Sequence, residues 1–257
     1  VSRSPVNGTF TSIAAGDEHT CGLGNGTVQC WGTDNSGPTT MLPSVTFASI
    51  SAGGGHTCGV DTGGQAHCWG SNDYGQTTIP GGVTFASISA GTYHTCAIAT
   101  SGLGYCWGAG AGTGYPHYAQ STVHPFTAVN FIALSAGGLH TCGVALSGAA
   151  YCWGWNFHTQ ASPPSGILFA AIVAGGYHTC GTDIGKVAHC WGAGSFSGDP
   201  HYLQNLVPDA DAHKFVALSA GKYHTCAVDE LGQGFCWGAG SGGSGWGPHY
   251  NQTDVPE

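Results

Sequence analysis

The feature that most restricts the fold is a motif of about forty residues that occurs six times in the 257-residue chain. Each copy contains F-x-x-I/L-x-A-G-x-x-H-T-C, then a turn with glycine, then C-W-G. A period of this length is typical of solenoids and propellers, because each unit buries its apolar surface against its neighbours. The copies begin at Phe10, Phe47, Phe85, Phe131, Phe169 and Phe215.

The segments within each copy predict short strands separated by glycine-containing turns, without the start and stop signals of helices. Three or four strands in about forty residues make one blade of a β-propeller, and a closed ring leaves only short sheet edges. We therefore expect an all-β fold, a single β-propeller domain over residues 1–257 with about six blades, seven being the alternative. Residues 251–256 and 6–9 together match one inter-repeat segment, which predicts that the two termini meet and close the ring.

All twelve cysteines lie within the repeat, as one pair per copy on either side of a turn. Directly opposed residues on adjacent antiparallel strands are within disulfide distance. Zinc would require pairs that converge on one point, whereas these pairs are distributed along the repeats. Six disulfides predict a secreted protein, outside the reducing cytosol. The predicted bonds are Cys21–Cys30, Cys58–Cys68, Cys96–Cys106, Cys142–Cys152, Cys180–Cys190 and Cys226–Cys236.

The charge balance disfavours two classes of partner. Four Lys and Arg residues stand against thirteen Asp and Glu residues, so no basic patch is available for nucleic acid or for an anionic membrane surface. No apolar run is long enough to cross a bilayer, and we expect no membrane span. Three Asn-x-Thr sequons, at Asn7, Asn25 and Asn251, are candidate glycosylation sites that agree with export.

The run A-G-x-x-H-T-C-x-V, followed by C-W-G-x-N-x-x-G-Q as in residues 68–76, resembles the regulator of chromosome condensation repeat. The resemblance covers nearly the whole chain and implies a propeller, which in this family often has seven blades. The nuclear founder is a nucleotide exchange factor for a small GTPase and contacts chromatin, a role that the acidity and paired cysteines of this chain disfavour. Secreted bacterial members, including a β-lactamase inhibitor, bind proteins with the propeller face, so the resemblance implies a binding scaffold.

One histidine and one tryptophan recur at fixed places in every copy, which favours a structural role for both. We predict that the histidines form hydrogen bonds that fasten the blades and that the tryptophans pack between blades. In the second copy, strand alternation places the cysteines on the same face as His56 and Val60, and places Thr57 and Trp69 on the other. The histidines are His19, His56, His94, His140, His178 and His224, and the tryptophans are Trp31, Trp69, Trp107, Trp153, Trp191 and Trp237.

Departures from the repeat are candidates for function, because the scaffold does not require them. Three longer connections after C-W-G each contain Pro-His-Tyr, followed two residues later by glutamine. A histidine beside a tyrosine on a loop offers an aromatic platform and hydrogen bonds for a protein or glycan, although the same residues would also serve to anchor a long loop. The candidate ligand-binding residues are His117, Tyr118, His201, Tyr202, His249, Tyr250, Trp155 and Trp246.

No catalytic motif of the common hydrolase classes is present, and the acidic residues are scattered. We therefore expect a secreted binding module that is not an enzyme and that needs no cofactor or metal. Its partner is a protein or a glycan, held on one loop face. Two alternatives remain open at this stage: a structural coat, matrix or filament subunit that associates with itself, and a metal-dependent hydrolase.

Overall fold

Successive antiparallel sheets of three strands make up the fold. The structure is a computed structural model that describes residues 9–33, 37, 44–123, 128–193, 197–198, 201–208 and 212–239. Within these ranges there are six three-stranded sheets, numbered here 1 to 6 along the chain, and in each the second strand lies in the middle. The prediction of an all-β fold with six disulfide-bonded repeats is thereby confirmed.

The strands of the six sheets have closely similar lengths. The first strands are β1 (Ser12–Ala15), β4 (Phe47–Ala52), β7 (Phe85–Ala90), β10 (Phe131–Ala136), β13 (Phe169–Ala174) and β18 (Phe215–Ala220). The middle strands are β2 (His19–Gly24), β5 (His56–Asp61), β8 (His94–Ala99), β11 (His140–Ala145), β14 (His178–Asp183) and β19 (His224–Asp229). The third strands are β3 (Thr27–Gly32), β6 (Ala66–Gly70), β9 (Gly104–Gly108), β12 (Ala150–Gly154), β15 (Ala188–Gly192) and β20 (Gly234–Gly238). A short pair, β16 (Ser197–Gly198) and β17 (His201–Tyr202), lies between sheets 5 and 6.

Local side-chain chemistry forms the turn between the second and third strands. In sheet 2, the Asp61 carboxylate accepts hydrogen bonds from the backbone N–H groups of Gly63 and Gln65, at 2.8 and 2.9 Å. Gly64 has a φ of 83°, a left-handed conformation that glycine adopts without a Cβ penalty. The aspartate and the glycine therefore fix the register of β5 against β6.

Each pair of cysteines bridges the second and third strands of its sheet. In sheet 2, Cys58 lies directly opposite Cys68, and the two Cα atoms are 4.1 Å apart. The same opposition and the same Cα separation occur in the other five sheets, so all six predicted disulfides are confirmed. The chain has no free cysteine.

The middle strands of sheets 2 to 5 are buried on both faces because each of these sheets lies between two others. His56 Nε2 lies 2.8 Å from Thr95 Oγ1 of sheet 3, whereas Thr57 Oγ1 lies 2.8 Å from His19 Nε2 of sheet 1. Val60 packs in the cluster with sheet 3, and Trp69 packs in the cluster with sheet 1. The predicted division of side chains between the two faces is confirmed.

The hydrophobic core is divided into clusters, one for each pair of neighbouring sheets. In the cluster between sheets 4 and 5, Cys142 and Val144 pack against Phe169, Ile172 and Trp191. Equivalent clusters join the other neighbouring pairs. The recurring phenylalanine and tryptophan thus supply the apolar contact of one sheet with the sheet before it, as predicted for the tryptophan.

The predicted meeting of the two termini falls on residues 1–8 and 240–257, which lie outside the described residues. In the part of the chain that the structure describes, no apolar helix reaches the length needed to span a bilayer.

Candidate binding face

Within the described residues, two kinds of segment meet at one end of the sheets. The turn between the first and second strands, such as residues 53–55, lies beside the segment that follows the third strand, such as residues 71–80. This arrangement follows from antiparallel pairing, since the first strand ends where the second begins and where the third ends. We call this end of the molecule the loop face, and the opposite end the turn face.

A buried glutamine fastens the described segment after each of sheets 2 to 5 to the next sheet. The Gln120 backbone carbonyl accepts hydrogen bonds from Thr141 Oγ1 and from Trp153 Nε1, both at 2.8 Å and both from sheet 4. Gln76 and Gln160 make the same pair of contacts with sheets 3 and 5. The segments of the loop face are therefore held by two successive sheets, which gives their exposed side chains fixed positions.

The first Pro-His-Tyr segment is held mainly by its backbone and by the same glutamine. The Tyr118 N–H donates to Gln120 Oε1 at 2.7 Å, and Gln120 Nε2 donates to the Pro116 carbonyl at 2.5 Å. His117 Nδ1 accepts a hydrogen bond from the Gly110 N–H at 3.1 Å. The histidine side chain therefore contributes to the fold of this loop, whereas the tyrosine ring makes its contacts with other aromatic rings.

One cluster of rings lies over sheets 2 and 3. The Tyr74 ring meets the Tyr93 ring edge to face, with centroids 5.5 Å apart, and meets the His117 ring at 5.7 Å. Tyr93 also contacts Tyr115, through a ring contact at 5.6 Å and a hydroxyl–hydroxyl distance of 2.5 Å. Burial and this hydrogen bond raise the pKa of Tyr93, so its hydroxyl stays protonated at neutral pH.

A second cluster runs over sheets 4 to 6. Trp155 contacts Tyr118 at 6.1 Å, Phe157 in a stacked geometry at 6.2 Å, and His158 at 5.2 Å between ring centroids. Trp155 also meets Tyr177 at 5.8 Å. Beyond it, Tyr177 stacks on Tyr223 at 5.4 Å, and the Lys222 ammonium lies 5.2 Å from the Tyr223 ring.

The two clusters join through the consecutive residues His117 and Tyr118 and form one aromatic band across the loop face. Some of its rings are well exposed: Tyr115 is 64% exposed and Phe157 is 81% exposed. The aromatic band comprises Tyr74, Tyr93, Tyr115, His117, Tyr118, Trp155, Phe157, His158, Tyr177 and Tyr223.

Sequence reasoning identified three members of the band, His117, Tyr118 and Trp155, and missed the rest. A signal was available, because two repeat positions supply most of the rings. The position directly before the repeated histidine gives Tyr93, Tyr177 and Tyr223, and the position two residues before the glutamine gives Tyr74, Tyr118 and His158. The predicted binding residues came only from segments outside the repeat motif, so the tyrosine before the repeated histidine was not among them.

Other candidate residues are placed differently. The backbones of His201 and Tyr202 form β17, and their side chains lie outside the described part. His249, Tyr250 and Trp246 also lie outside the described residues, as do the sequon residues Asn7 and Asn251. Asn25 is exposed in the turn between β2 and β3, on the turn face. Among the described residues, no group of three or more His, Cys, Asp or Glu side chains is arranged to hold a metal ion.

Comparison with known proteins gives a family match within the repeats. The model of the regulator of chromosome condensation (RCC1) repeat matches residues 47–76 and 131–160, which lie in sheets 2 and 4. No curated protein sequence matches the chain.

Two plant receptor ectodomains are similar in both sequence and structure. The ectodomain of the receptor kinase CR4 from Physcomitrella patens is 28% identical, with a TM-score of 0.71, over 89% of this chain and 64% of that one. The CRINKLY WD40 ectodomain of the receptor kinase ACR4 from Arabidopsis thaliana is 26% identical, with a TM-score of 0.69, over 91% of this chain and 81% of that one. This chain therefore spans somewhat under two thirds of the moss ectodomain.

More distant structures show the same fold. Yeast RCC1 (Prp20), solved in complex with Kap60, is 16% identical with a TM-score of 0.71, over 96% of this chain and 74% of that one. Human WBSCR16 is 16% identical with a TM-score of 0.75, over 93% of this chain and 79% of that one. These two similarities establish the architecture and carry no information about partners.

Proposed function

We propose that this chain, which is built from regulator of chromosome condensation repeats, is an extracellular, non-enzymatic module. It binds a protein partner through the aromatic band. The observation that carries the proposal is the band itself, a run of rings over sheets 2 to 6 that includes exposed members such as Tyr115 and Phe157. Tyrosine and tryptophan are the residues most enriched at the energetic centres of protein interfaces.

The hydrogen bonds that hold the loops of the band in place support the same proposal. Because Gln76, Gln120 and Gln160 bond each loop to the next sheet, the rings are held in place before a partner arrives. Pre-organised side chains lose little conformational entropy on binding, so more of the contact energy appears as affinity. The ten rings of the band come from sheets 2 to 6, and a surface shared by five sheets favours a macromolecular partner over a small ligand.

Extracellular placement is supported by two independent observations. Six disulfides are stable in an oxidising compartment and uncommon in the cytosol. Two similar structures, at 28% and 26% identity, are receptor ectodomains. Since only four basic residues oppose thirteen acidic ones, nucleic acid is not proposed as a partner.

The test compares one exposed apolar residue on each face. Phe157→Ala removes an exposed ring of the band, and Leu231→Ala removes an 83% exposed side chain on the turn face. The wild-type chain and both variants are used to capture partners from native extracellular material, and a captured protein is then titrated with each. We expect Phe157→Ala to weaken binding at least about fivefold and Leu231→Ala to change it little, with both melting temperatures unchanged.

Three outcomes would contradict the proposal. Weakening by Leu231→Ala alone would place the partner on the turn face. Binding on a glycan array without capture of any protein would make the module a lectin. Self-association of the purified chain, seen by light scattering and abolished by Phe157→Ala, would favour a structural assembly.

A further inference from the structure

A hollow interrupts the loop face where sheets 1, 2 and 3 meet. Its volume is about 290 Å³, and its walls include Asp17, Gly54, Gly55, Asp73, Tyr74 and Tyr93. The two tyrosines belong to the aromatic band, so the hollow lies at one end of the surface that we propose as the binding face.

The hollow exists because sheet 2 lacks a side chain that the other sheets carry. At the position directly before the repeated histidine, sheet 2 has Gly55, whereas the other sheets have Glu18, Tyr93, Leu139, Tyr177 and Tyr223. Gly55 does not have a positive φ, and apart from its chain neighbours a Cβ there would meet only the Ser71 Cβ, at 3.4 Å. The fold therefore tolerates a side chain at this position, and the empty space is a property of this sequence that the scaffold does not require.

Aromatic rings form one wall of the hollow. Tyr74 and Tyr93 meet edge to face at 5.5 Å, which presents the face of one ring beside the edge of the other. Tyr93 is held by its hydroxyl contact with Tyr115, and Tyr74 packs on His117. These contacts fix the ring positions before a ligand enters.

Carboxylates form the other part of the lining. Asp17 comes from sheet 1 and Asp73 from the segment after β6, and both are exposed to solvent. No Lys or Arg lines the hollow, and within the described residues neither carboxylate takes part in an ion pair. The described lysines, Lys186, Lys214 and Lys222, belong to the region of sheets 5 and 6, and the whole chain carries a net charge of −9.

We propose that the hollow binds an organic cation, an ammonium or guanidinium group, that a lysine or arginine side chain of the partner presents to it. A tyrosine ring attracts a cation through its electron-rich face, and two carboxylates without a described cationic partner add Coulomb attraction and accept its N–H groups. Asp73 Oδ2 also accepts a hydrogen bond from Ser71 Oγ at 3.1 Å, which leaves its other oxygen for the cation. A neutral sugar gains nothing from the negative charge, and an anionic sugar is repelled. The assignment of the group to a partner protein rests on the proposed function, whereas the affinity for the cation itself does not.

The first experiment probes the hollow with single side chains. The full chain is titrated with N-acetyl-arginine amide, N-acetyl-lysine amide, the neutral isostere N-acetyl-norleucine amide and methyl glucoside, while NMR follows the amides of Gly54, Gly55 and Tyr93. We expect the two cationic probes to shift these signals with millimolar affinity, weakening about threefold or more when ionic strength rises from 0.01 to 0.15 M. Shifts from the sugar or the neutral isostere, or no shift from the cations, would overturn the proposal.

The second experiment uses variants. Gly55→Tyr fills the hollow with the side chain that sheets 3, 5 and 6 carry, and Leu139→Tyr places the same side chain at the equivalent position of sheet 4 as a control. We expect Gly55→Tyr to abolish cation binding and Leu139→Tyr to leave it unchanged. The Asp17→Asn and Asp73→Asn double variant keeps the shape of the hollow and is expected to weaken binding about tenfold. Unchanged cation binding in the double variant, or in a folded Gly55→Tyr protein, would refute the site.

The two proposals fail separately. If cations do not bind but Phe157→Ala still weakens partner capture, the hollow is wrong and the binding face stands. If cations bind in the hollow but Phe157→Ala leaves capture unchanged, the cation site stands and the aromatic band is not the partner surface.

Discussion

The contacts between neighbouring sheets and the outer surfaces of sheets 1 and 6 are built from the same repeat positions, yet the two regions differ in burial. Between sheets 4 and 5, Val144 is fully buried and Ile172 is 5% exposed. The equivalent residues at the outer surfaces are Val228 of sheet 6, which is 39% exposed, and Ile13 of sheet 1, which is 57% exposed. An identical motif therefore contributes very different amounts of buried apolar area depending on whether a neighbouring sheet covers it.

The hydrogen bonds show the same contrast. In each described contact, a histidine Nε2 lies 2.6 to 2.8 Å from the threonine Oγ1 of the next sheet. Within the described residues, His224 of sheet 6 and Thr20 of sheet 1 have no corresponding bond. The bonded pairs are His19–Thr57, His56–Thr95, His94–Thr141, His140–Thr179 and His178–Thr225.

Thr95, Thr141 and Thr179 determine the tautomer of the histidines that they bond, because each donates its own hydrogen to a glutamine carbonyl. Thr179 Oγ1 donates its hydrogen to the Gln160 carbonyl at 2.9 Å, so it can only accept from His140, whose Nε2 must carry the hydrogen. His140 Nδ1 is buried without a hydrogen-bond partner, and His56, His94 and His178 share this feature. Protonation of Nδ1 would bury a charge with no acceptor, and burial accordingly lowers the pKa of His140 to about 3.

The histidine and the isoleucine of this repeat therefore stabilise the protein through contacts with the neighbouring sheet and not through contacts within their own sheet. Because the chain presents the same positions in covered and uncovered form, it supplies its own controls. Equal losses of stability at a covered position and at its uncovered equivalent would show that the outer surfaces are covered in solution.

The largest expected effect is acid destabilisation of the covered region. Burial lowers the pKa of His56 to about 4 and that of His94 and His178 to about 3, all below the value of 6.5 in the unfolded chain. The unfolded chain therefore binds more protons below pH 6.5, so stability is fully present above that pH and falls as the pH drops toward 4. The loss is roughly 2 kcal/mol for each such histidine at pH 5.

Chemical denaturation at pH 7 and pH 5 measures this loss, and NMR of the imidazole protons assigns it. We expect the four buried histidines to remain neutral in the folded protein at pH 5, and His224, whose pKa is lowered by less complete burial, to protonate at higher pH than they do. Titration of the buried four near pH 6.5 without unfolding would contradict the tautomer and burial argument.

The next effect concerns apolar burial. Ile172→Ala should destabilise the protein by about 2 to 5 kcal/mol, because it leaves a cavity between sheets 4 and 5. Ile13→Ala at the outer surface of sheet 1 should cost less than about 1 kcal/mol. Urea denaturation of both variants tests the comparison, and equal costs would mean that sheet 1 is covered, as in a closed ring.

The inter-sheet hydrogen bond gives the third effect. His140→Ala should cost roughly 2 to 4 kcal/mol, because it removes the donor to Thr179 and opens a cavity in a fully buried site. His224→Ala removes a half-buried side chain and should cost less than about 1 kcal/mol. Thermal unfolding at pH 7.5 measures both, with the wild-type protein as reference, and a larger loss for His224→Ala would reverse the comparison.

The smallest effect concerns a backbone hydrogen bond between sheets. Ser135 Oγ accepts from the Ala174 N–H at 2.9 Å, so Ser135→Ala should cost about 1 kcal/mol. Ser219 occupies the same position in sheet 6 and is exposed, so Ser219→Ala should be neutral. Hydrogen exchange of the Ala174 amide provides a local readout, and unchanged protection in Ser135→Ala would show that the bond does not stabilise the contact.

Most of the fold could be predicted from the sequence because the determining signals are local and repeated. The six copies of the motif give the sheets, and alternation along strands gives the two faces of His56 and Thr57. The cysteine spacing gives the disulfides, since residues opposed across a short turn are close whatever the rest of the chain does. The structural role of the repeated histidine followed from its recurrence, and the described His–Thr bonds confirm it for five of the six.

The aromatic band could be predicted only in part. His117 and Tyr118 were predicted because they lie in a longer connection, and Trp155 because it is not the repeated tryptophan. Tyr74 and Tyr93 are far apart in the sequence and belong to different sheets. Which rings meet depends on how far the segment after each third strand reaches over the next sheet. That reach is fixed by the bonds of the glutamine carbonyl to a threonine and a tryptophan of the following sheet, such as Gln120 with sheet 4.

The sequence by itself determined the repeat unit, its three strands and its disulfide, because each depends on contacts within a single copy of the motif. The tertiary structure decided which side chains gather on the loop face and that the missing side chain at Gly55 leaves a hollow between Asp17, Tyr74 and Tyr93. The physical reason is that these residues come from three sheets, and only the packing of one sheet on the next brings their side chains within reach of a common ligand.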